Sequence, residues 1–218
     1  WVGNGAAWHQ TTSAVTPTVN VWQHVAATWN GTVASIYVNG VLSGTTTPGI
    51  TSLGNGGSNP VLLAGNTMNE NFIGDIDEVR IWNVVRTQCE INNYKNCEIP
   101  TSATGLLANY HFNQGTANGS NPGETTLSDA SGNAHQMSLA NFALSGTSSN
   151  WVNSGPATST ATRFFADTDF DGYGNFFAPT LSCSPLLGFV ADSTDCDDGN
   201  PYVHPFATEI INGIDDNC

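Results

Sequence analysis

The chain has 218 residues, enough for one large sandwich domain or for such a domain with a small satellite. Its 4 basic and 18 acidic residues give a formal net charge of -14, which repels phosphate backbones and anionic headgroups and argues against nucleic acid as a partner. Charged residues make up only 10% while Gly, Ser, Thr and Asn abound, as suits an all-β chain, and no apolar run approaches the roughly 20 residues that cross a bilayer.

In chain order, the clearest local structure lies at residues 21–46. Val21 to Trp29 reads as an apolar strand, Asn30-Gly31 as a turn, and Thr32 to Val38 as a second strand with Ala34, Ile36 and Val38 on one face. Asn39-Gly40 then turns the chain into Val41-Leu42. Asn-Gly between β-forming runs favours a type I′ turn, so a three-strand meander is predicted. Val61 to Ala64, Phe72 to Trp82, Leu106 to Phe112 and Met137 to Leu144 are further strand candidates, separated by segments rich in Gly, Asn, Ser and Pro. Their number and spacing suit a sandwich. One helix is predicted to begin at Thr87-Gln88-Cys89-Glu90, which has capping-box spacing, and to continue through Ile91, Tyr94 and Lys95.

Five cysteines fall in two groups, Cys89 with Cys97 and Cys183 with Cys196 and Cys218, without the paired short spacings of a zinc ribbon. Disulfides in an oxidising compartment are expected, and a Cys89–Cys97 bridge would staple the helix. From Ser145 the composition turns to Ser, Thr, Gly and Pro, with almost no apolar content after Trp151-Val152. The predicted organisation is a sandwich over 1–152, a linker over 153–162 and an Asp-rich repeat over 163–218. This last segment holds ten carboxylates and a single base, whereas residues 1–162 hold eight acids and three bases.

Trp22-Gln23-His24-Val25-Ala26-Ala27-Thr28-Trp29, Ile36-Tyr37-Val38-Asn39-Gly40 and Phe72-Ile73-Gly74-Asp75-Ile76-Asp77-Glu78-Val79-Arg80-Ile81-Trp82 together resemble the laminin-G-like, or concanavalin-A-like, jelly-roll family. So does Leu106-Leu107-Ala108-Asn109-Tyr110-His111-Phe112, followed by Asp129-Ala130-Ser131-Gly132-Asn133-Ala134. The resemblance implies an antiparallel jelly-roll sandwich. Because such domains usually hold several strands before the point where this chain starts, it also implies a sandwich incomplete at its N-terminal side. Phe164 to Gly174, Asp195-Cys196-Asp197-Asp198 and Asn212 to Cys218 resemble the metal-binding repeat of MopE type, akin to thrombospondin type 3 repeats. That repeat commonly has a Cys just before the Asn-Gly, where this chain has Ile211, so the resemblance leaves Cys183–Cys196 as the expected pair and Cys218 without its partner.

Asp167, Asp169 and Asp171 alternate ahead of Gly172, a spacing that lets three carboxylates converge on one hard cation while the next carbonyl, at Tyr173, points inward. An EF-hand loop needs a bidentate acid at its twelfth position, where counting from Asp167 gives Ala178, so the other ligands must come from elsewhere. Asp195, Asp197, Asp198, Asn200, Glu209, Asp215 and Asp216 are the available donors, and an all-oxygen set favours Ca2+ over zinc or copper. Metal binding would then be coupled to folding of the tail.

In the sandwich, Asp75 and Asp77 form a second candidate calcium pair, and Asp77 and Glu78 can alternatively pair with Arg80. Val79 stands where a glycanase would need a third acid on the same face, so no nucleophile and acid/base pair is expected and the chain is predicted not to be an enzyme. Trp8, Trp22, Trp29 and Trp82 are expected to fill the core rather than stack on sugars. His9, His24, His111, His135 and His204 have no acid or Cys nearby at ligand spacing.

The resemblance makes a secreted or cell-surface recognition module the expected function, with a glycan or an extracellular protein as partner and calcium stiffening the spacer. A structural fibre or stalk subunit, self-associating through sheet edges, is the alternative, and a glycan-cleaving enzyme is disfavoured.

Overall fold

The computed structural model describes residues 2–54, 61–65, 71–101, 103–153, 155 and 161–218. They fall into two compact units, the first comprising Trp1–Lys95 and Pro100–Thr158, the second Asn96–Ile99 and Ser159–Cys218. Among the described residues most regular structure is β, with one short helix. Most of the expected linker lies outside the described residues.

In the first unit, β1 (Val2–Gly3) pairs with β2 (Trp8–His9), and β3 (Val25–Trp29), β4 (Ala34–Val38) and β5 (Val41–Thr46) form the predicted antiparallel meander. Asn39 and Gly40 have φ of 51° and 81°, as a type I′ turn demands. Asn30-Gly31 differs from expectation: only Gly31 has positive φ, and Trp29 pairs with Ala34 across a longer loop. Asn30 organises that loop with its side chain, whose Oδ1 accepts from the N–H groups of Thr32 (3.0 Å) and Val33 (2.8 Å).

The long strand expected over Phe72–Trp82 shrinks to β6 (Val79–Trp82), because Glu78, at φ 51°, turns the chain out of extended geometry. α1 (Gln88–Tyr94) carries the predicted capping box between Thr87 and Glu90. β7 (Leu106–Tyr110) stops before Phe112, whose φ is 58°. β8 (Thr126–Leu127) pairs with β9 (Met137–Ser138), and left-handed Asn141 and Leu144 end the expected strand early. Val61 to Ala64 forms no strand.

Ala108, Tyr110, Leu127 and Trp151 form the buried core here, with Val79, Ile81, Phe112, Met137 and Leu139 packed against them. Asp129 pins the sheet to this core. Its Oδ1 accepts from the N–H groups of Asn109 and Ser131 (both 2.9 Å), and its Oδ2 accepts from His135 N–H (2.9 Å) and the Ser131 hydroxyl (2.8 Å). Burial pushes this carboxyl up, but those four donors outweigh it and hold it at about 2.

His24 is packed so that Nδ1 is buried without a partner. Burial first, then the charges of Arg80 and Lys95, lower its pKa from 6.5 to about 4. The unfolded chain therefore takes up a proton near 6.5 that the folded chain refuses until about 4, so stability present above the first value falls through that window. His24→Gln is expected to flatten the dependence of Tm on pH there, and an unchanged slope would show that His24 does not set it.

In the second unit, β10 (Thr162–Ala166) lies between β11 (Asn175–Ser182) and β12 (Phe189–Val190), antiparallel to both. Phe164, Phe165, Ile99 and Val203 are buried, and Phe165 stacks on Phe176. The cysteine pairing corrects the expected one. Cys97 bonds to Cys183 and Cys196 to Cys218, while Cys89 is free and exposed. Cys89 and Cys97 are close in sequence, yet the first sits on the open face of α1 and the second is wholly buried in the other unit. Cys183 goes to Cys97, which frees Cys196 for Cys218; Ile211 is fully exposed.

Candidate metal centre

The turn that follows β10 is built by its own aspartates. Asp167 Oδ2 accepts from Gly172 N–H (3.2 Å), Asp169 Oδ1 from Asp171 N–H (3.3 Å), and Asp171 Oδ1 from Tyr173 N–H (2.8 Å). Gly172, at φ +95°, supplies the left-handed step that lets the chain fold back. A second strand of the site arrives from far along the sequence: Asp195 bridges to Asn175 in parallel, its N–H donating to the Gly174 carbonyl (3.2 Å). Asp195 Oδ1 accepts from Asp197 N–H (2.8 Å), and Asp198 holds Thr168 through both its N–H and its hydroxyl, each at 2.8 Å.

Each of four carboxylates thus uses one oxygen to fix the backbone. The other oxygens, Asp167 Oδ1, Asp169 Oδ2, Asp171 Oδ2 and Asp195 Oδ2, are buried with no hydrogen-bond partner. Ligand oxygens of Asp167, Asp169 and Asp198 lie within 4.8 Å of one another, as do those of Asp169, Asp171 and Asp195, so Asp169 is common to both groups. Burial, and then neighbouring negative charge from Asp171, raises the pKa of Asp169. Asp195 is raised by burial first and by Asp171, Asp169 and Asp198 after it. Buried, unpaired, mutually repelling carboxylate oxygens are costly unless a cation joins them. The donor set therefore fits a metal ion that prefers hard oxygen ligands.

Not all the sequence candidates join these groups. Asp197 is exposed and its carbonyl accepts from Gly199 and Asn200; Asn200 Oδ1 accepts from Tyr202 N–H (3.4 Å). Asp216 is buried but holds the C-terminal turn, accepting from Ile210 N–H (3.0 Å) and the Asn212 amide, while Glu209 accepts from Asp216 N–H (3.0 Å). Asp215 is exposed. Tyr173 has a role that its spacing did not reveal: its ring stacks on His204, centroids 4.9 Å apart, fastening the C-terminal loop beside the turn.

The second candidate pair belongs to no converging group of three or more among the described residues. Asp75 is exposed, and Asp77 Oδ1 accepts from Glu78 N–H (3.0 Å). Glu78 instead bridges Arg80 and His111, both at 2.7 Å, so His111 does have an acid partner that sequence spacing did not indicate.

Fold and site together define an all-β, jelly-roll-like unit followed by a metal-binding motif. Residues 1–92 match the family model described as "Concanavalin A-like lectin/glucanases superfamily", and residues 195–218 match the one described as "Putative metal-binding motif". Over 73 residues the chain is 37% identical to pappalysin-1 of Mus musculus and of Homo sapiens, an alignment covering 32% of this chain and 4% of either protein. A solved structure described as "a putative carbohydrate binding protein" from Bacteroides ovatus aligns with 62% of this chain and 39% of its own, at 26% identity and a TM-score of 0.48.

Proposed function

We propose that the chain is a non-catalytic recognition module of a secreted or cell-surface protein, binding a glycan or an extracellular protein, with its tail folded around calcium. The observation that carries the calcium part is the set of four buried carboxylate oxygens without partners, all hard donors, with no His or Cys in either of the two aspartate groups of the tail. Two disulfides suit an oxidising compartment. The absence of catalysis is supported by how the sandwich acids are used: Glu78 is tied to Arg80 and His111, and Asp77 to the backbone. The test is near-UV circular dichroism of the whole chain during heating, with calcium and then with excess chelator. A calcium-dependent transition supports the reading; melting curves that superimpose refute the metal's structural role. Release of reducing ends from a polysaccharide would refute the non-catalytic part.

A further inference from the structure

Four large apolar side chains stand exposed beside the aspartate turn of the second unit: Phe170 (70%), Leu187 (97%), Tyr202 (78%) and Phe206 (91%). Each is carried by a segment fastened to that turn. Phe170 lies within it, between Asp169 and Asp171. The Gly188 carbonyl, next to Leu187, accepts from Asp167 N–H (3.0 Å), and the Tyr173–His204 stack holds the loop that bears Tyr202 and Phe206. Two of the four also sit on costly backbone. Phe170 has φ of 66° and Phe206 of 69°, a left-handed geometry that Gly enters freely and a bulky L-residue enters at a cost. Burial explains neither ring. A side chain that is apolar, exposed and on unfavourable backbone gains nothing from the fold, and such outliers point to contact with something else.

The charge around these rings selects the occupant. Asp192, Asp197, Glu209 and Asp215 are exposed and belong to neither aspartate group, so a metal ion at the centre does not neutralise them. Residues 163–218 hold a single base, Arg163, against ten carboxylates. From these we infer that the surface binds a cationic, apolar protein segment, one that interleaves Lys or Arg with aliphatic side chains. Its cationic groups meet the exposed acids and the faces of the aromatic rings, while its aliphatic groups cover Phe170 and Phe206. A second copy of the chain, at a net charge of -14, is repelled, and so is an anionic membrane. The inference rests on the recognition-module reading and supplies the chemistry of its protein partner.

The test is fluorescence anisotropy of a short labelled peptide alternating lysine and leucine, titrated with the whole chain in calcium. A lysine–serine alternation keeps the charge and drops the apolar groups, and a glutamate–leucine alternation does the reverse. Lysine–leucine should bind about tenfold tighter than lysine–serine or more, the range of one well-packed aromatic contact, and glutamate–leucine should not bind. Phe206→Gly should remove most of that tenfold while leaving the melting midpoint in calcium unchanged or higher, because Gly relieves the left-handed backbone. Phe170→Gly should do the same, and Phe206→Gly, outside the aspartate turn, keeps the test decisive where a change inside the turn disturbs metal binding. Equal affinity for lysine–serine overturns the apolar half of the inference. Binding untouched by both glycine variants overturns the surface, and no binding of lysine–leucine overturns the inference outright. Co-sedimentation with phosphatidylserine vesicles, or self-association, that either variant abolishes would name a membrane or a second copy as the occupant and overturn the cationic segment. Calcium-dependent melting of the same samples is read separately, so failure of the partner and failure of the metal-folded tail are told apart.

Discussion

With excess chelator the second unit should melt about 10 to 20 °C lower than in saturating calcium. Ligand at a hundredfold its Kd stabilises by about 2.7 kcal/mol, and each kcal/mol moves the midpoint of a unit this small by about 4 to 8 °C. All six tryptophans lie at or before Trp151, so indole fluorescence reports the first unit and should show little change while the overall near-UV signal shifts. Asp169 is the decisive position because both aspartate groups of the tail contain it. Asp169→Asn should lower the midpoint in calcium, through a lost ligand, and raise it in chelator, through relief of a buried, repelled charge. That reversal of sign cannot come from a merely structural aspartate. Asp215→Asn, at an exposed position, should move neither midpoint. If Asp169→Asn shifts both midpoints in the same direction, the cluster is not a metal site.

Replacing Cys97 and Cys183 together by Ser should cost more than any single side chain elsewhere in the second unit. The bond closes a separation of 86 residues, worth roughly 4 to 5 kcal/mol by chain entropy, against roughly 3 for the 22-residue separation of Cys196–Cys218. A unit of this size has a total stability on the order of 3 to 9 kcal/mol, so the double variant should be largely unfolded without calcium. Cys89→Ser should be silent, since that thiol is free and exposed. Peptide mapping of the non-reduced protein checks the connectivity directly, and a Cys89–Cys97 fragment would overturn it.

The parts of this fold that were legible in the sequence are those fixed by neighbours in the chain. The β3–β4–β5 meander follows from alternating apolar residues and Asn39-Gly40, and α1 from Thr87 and Glu90. Strands such as β1, β2, β8 and β9 are too short for periodicity to register. The same division runs through the metal centre. Asp167, Asp169 and Asp171 announce themselves by spacing, because one turn carries all three. Asp195 and Asp198 join only through the Asn175–Asp195 bridge and the grip on Thr168, contacts that no local pattern encodes. Glu209 and Asp216 look equally acidic in the sequence, yet local backbone donors claim them. The cysteines mislead for a related reason: proximity along the chain suggested Cys89–Cys97, whereas burial decides for Cys183.

The Cys97–Cys183 bond also fixes how the chain would carry tension. A pull applied at Cys218 and resisted at the N-terminal end passes directly from residue 183 to residue 97. The Ser/Thr/Gly/Pro stretch expected to be a linker therefore lies inside a covalent loop, off the shortest covalent path between the two ends. Cutting that one bond would release a hidden length of roughly 300 Å, at about 3.5 Å per extended residue. A chain read by composition as two domains on a soft tether is therefore, mechanically, a chain whose tether has been short-circuited.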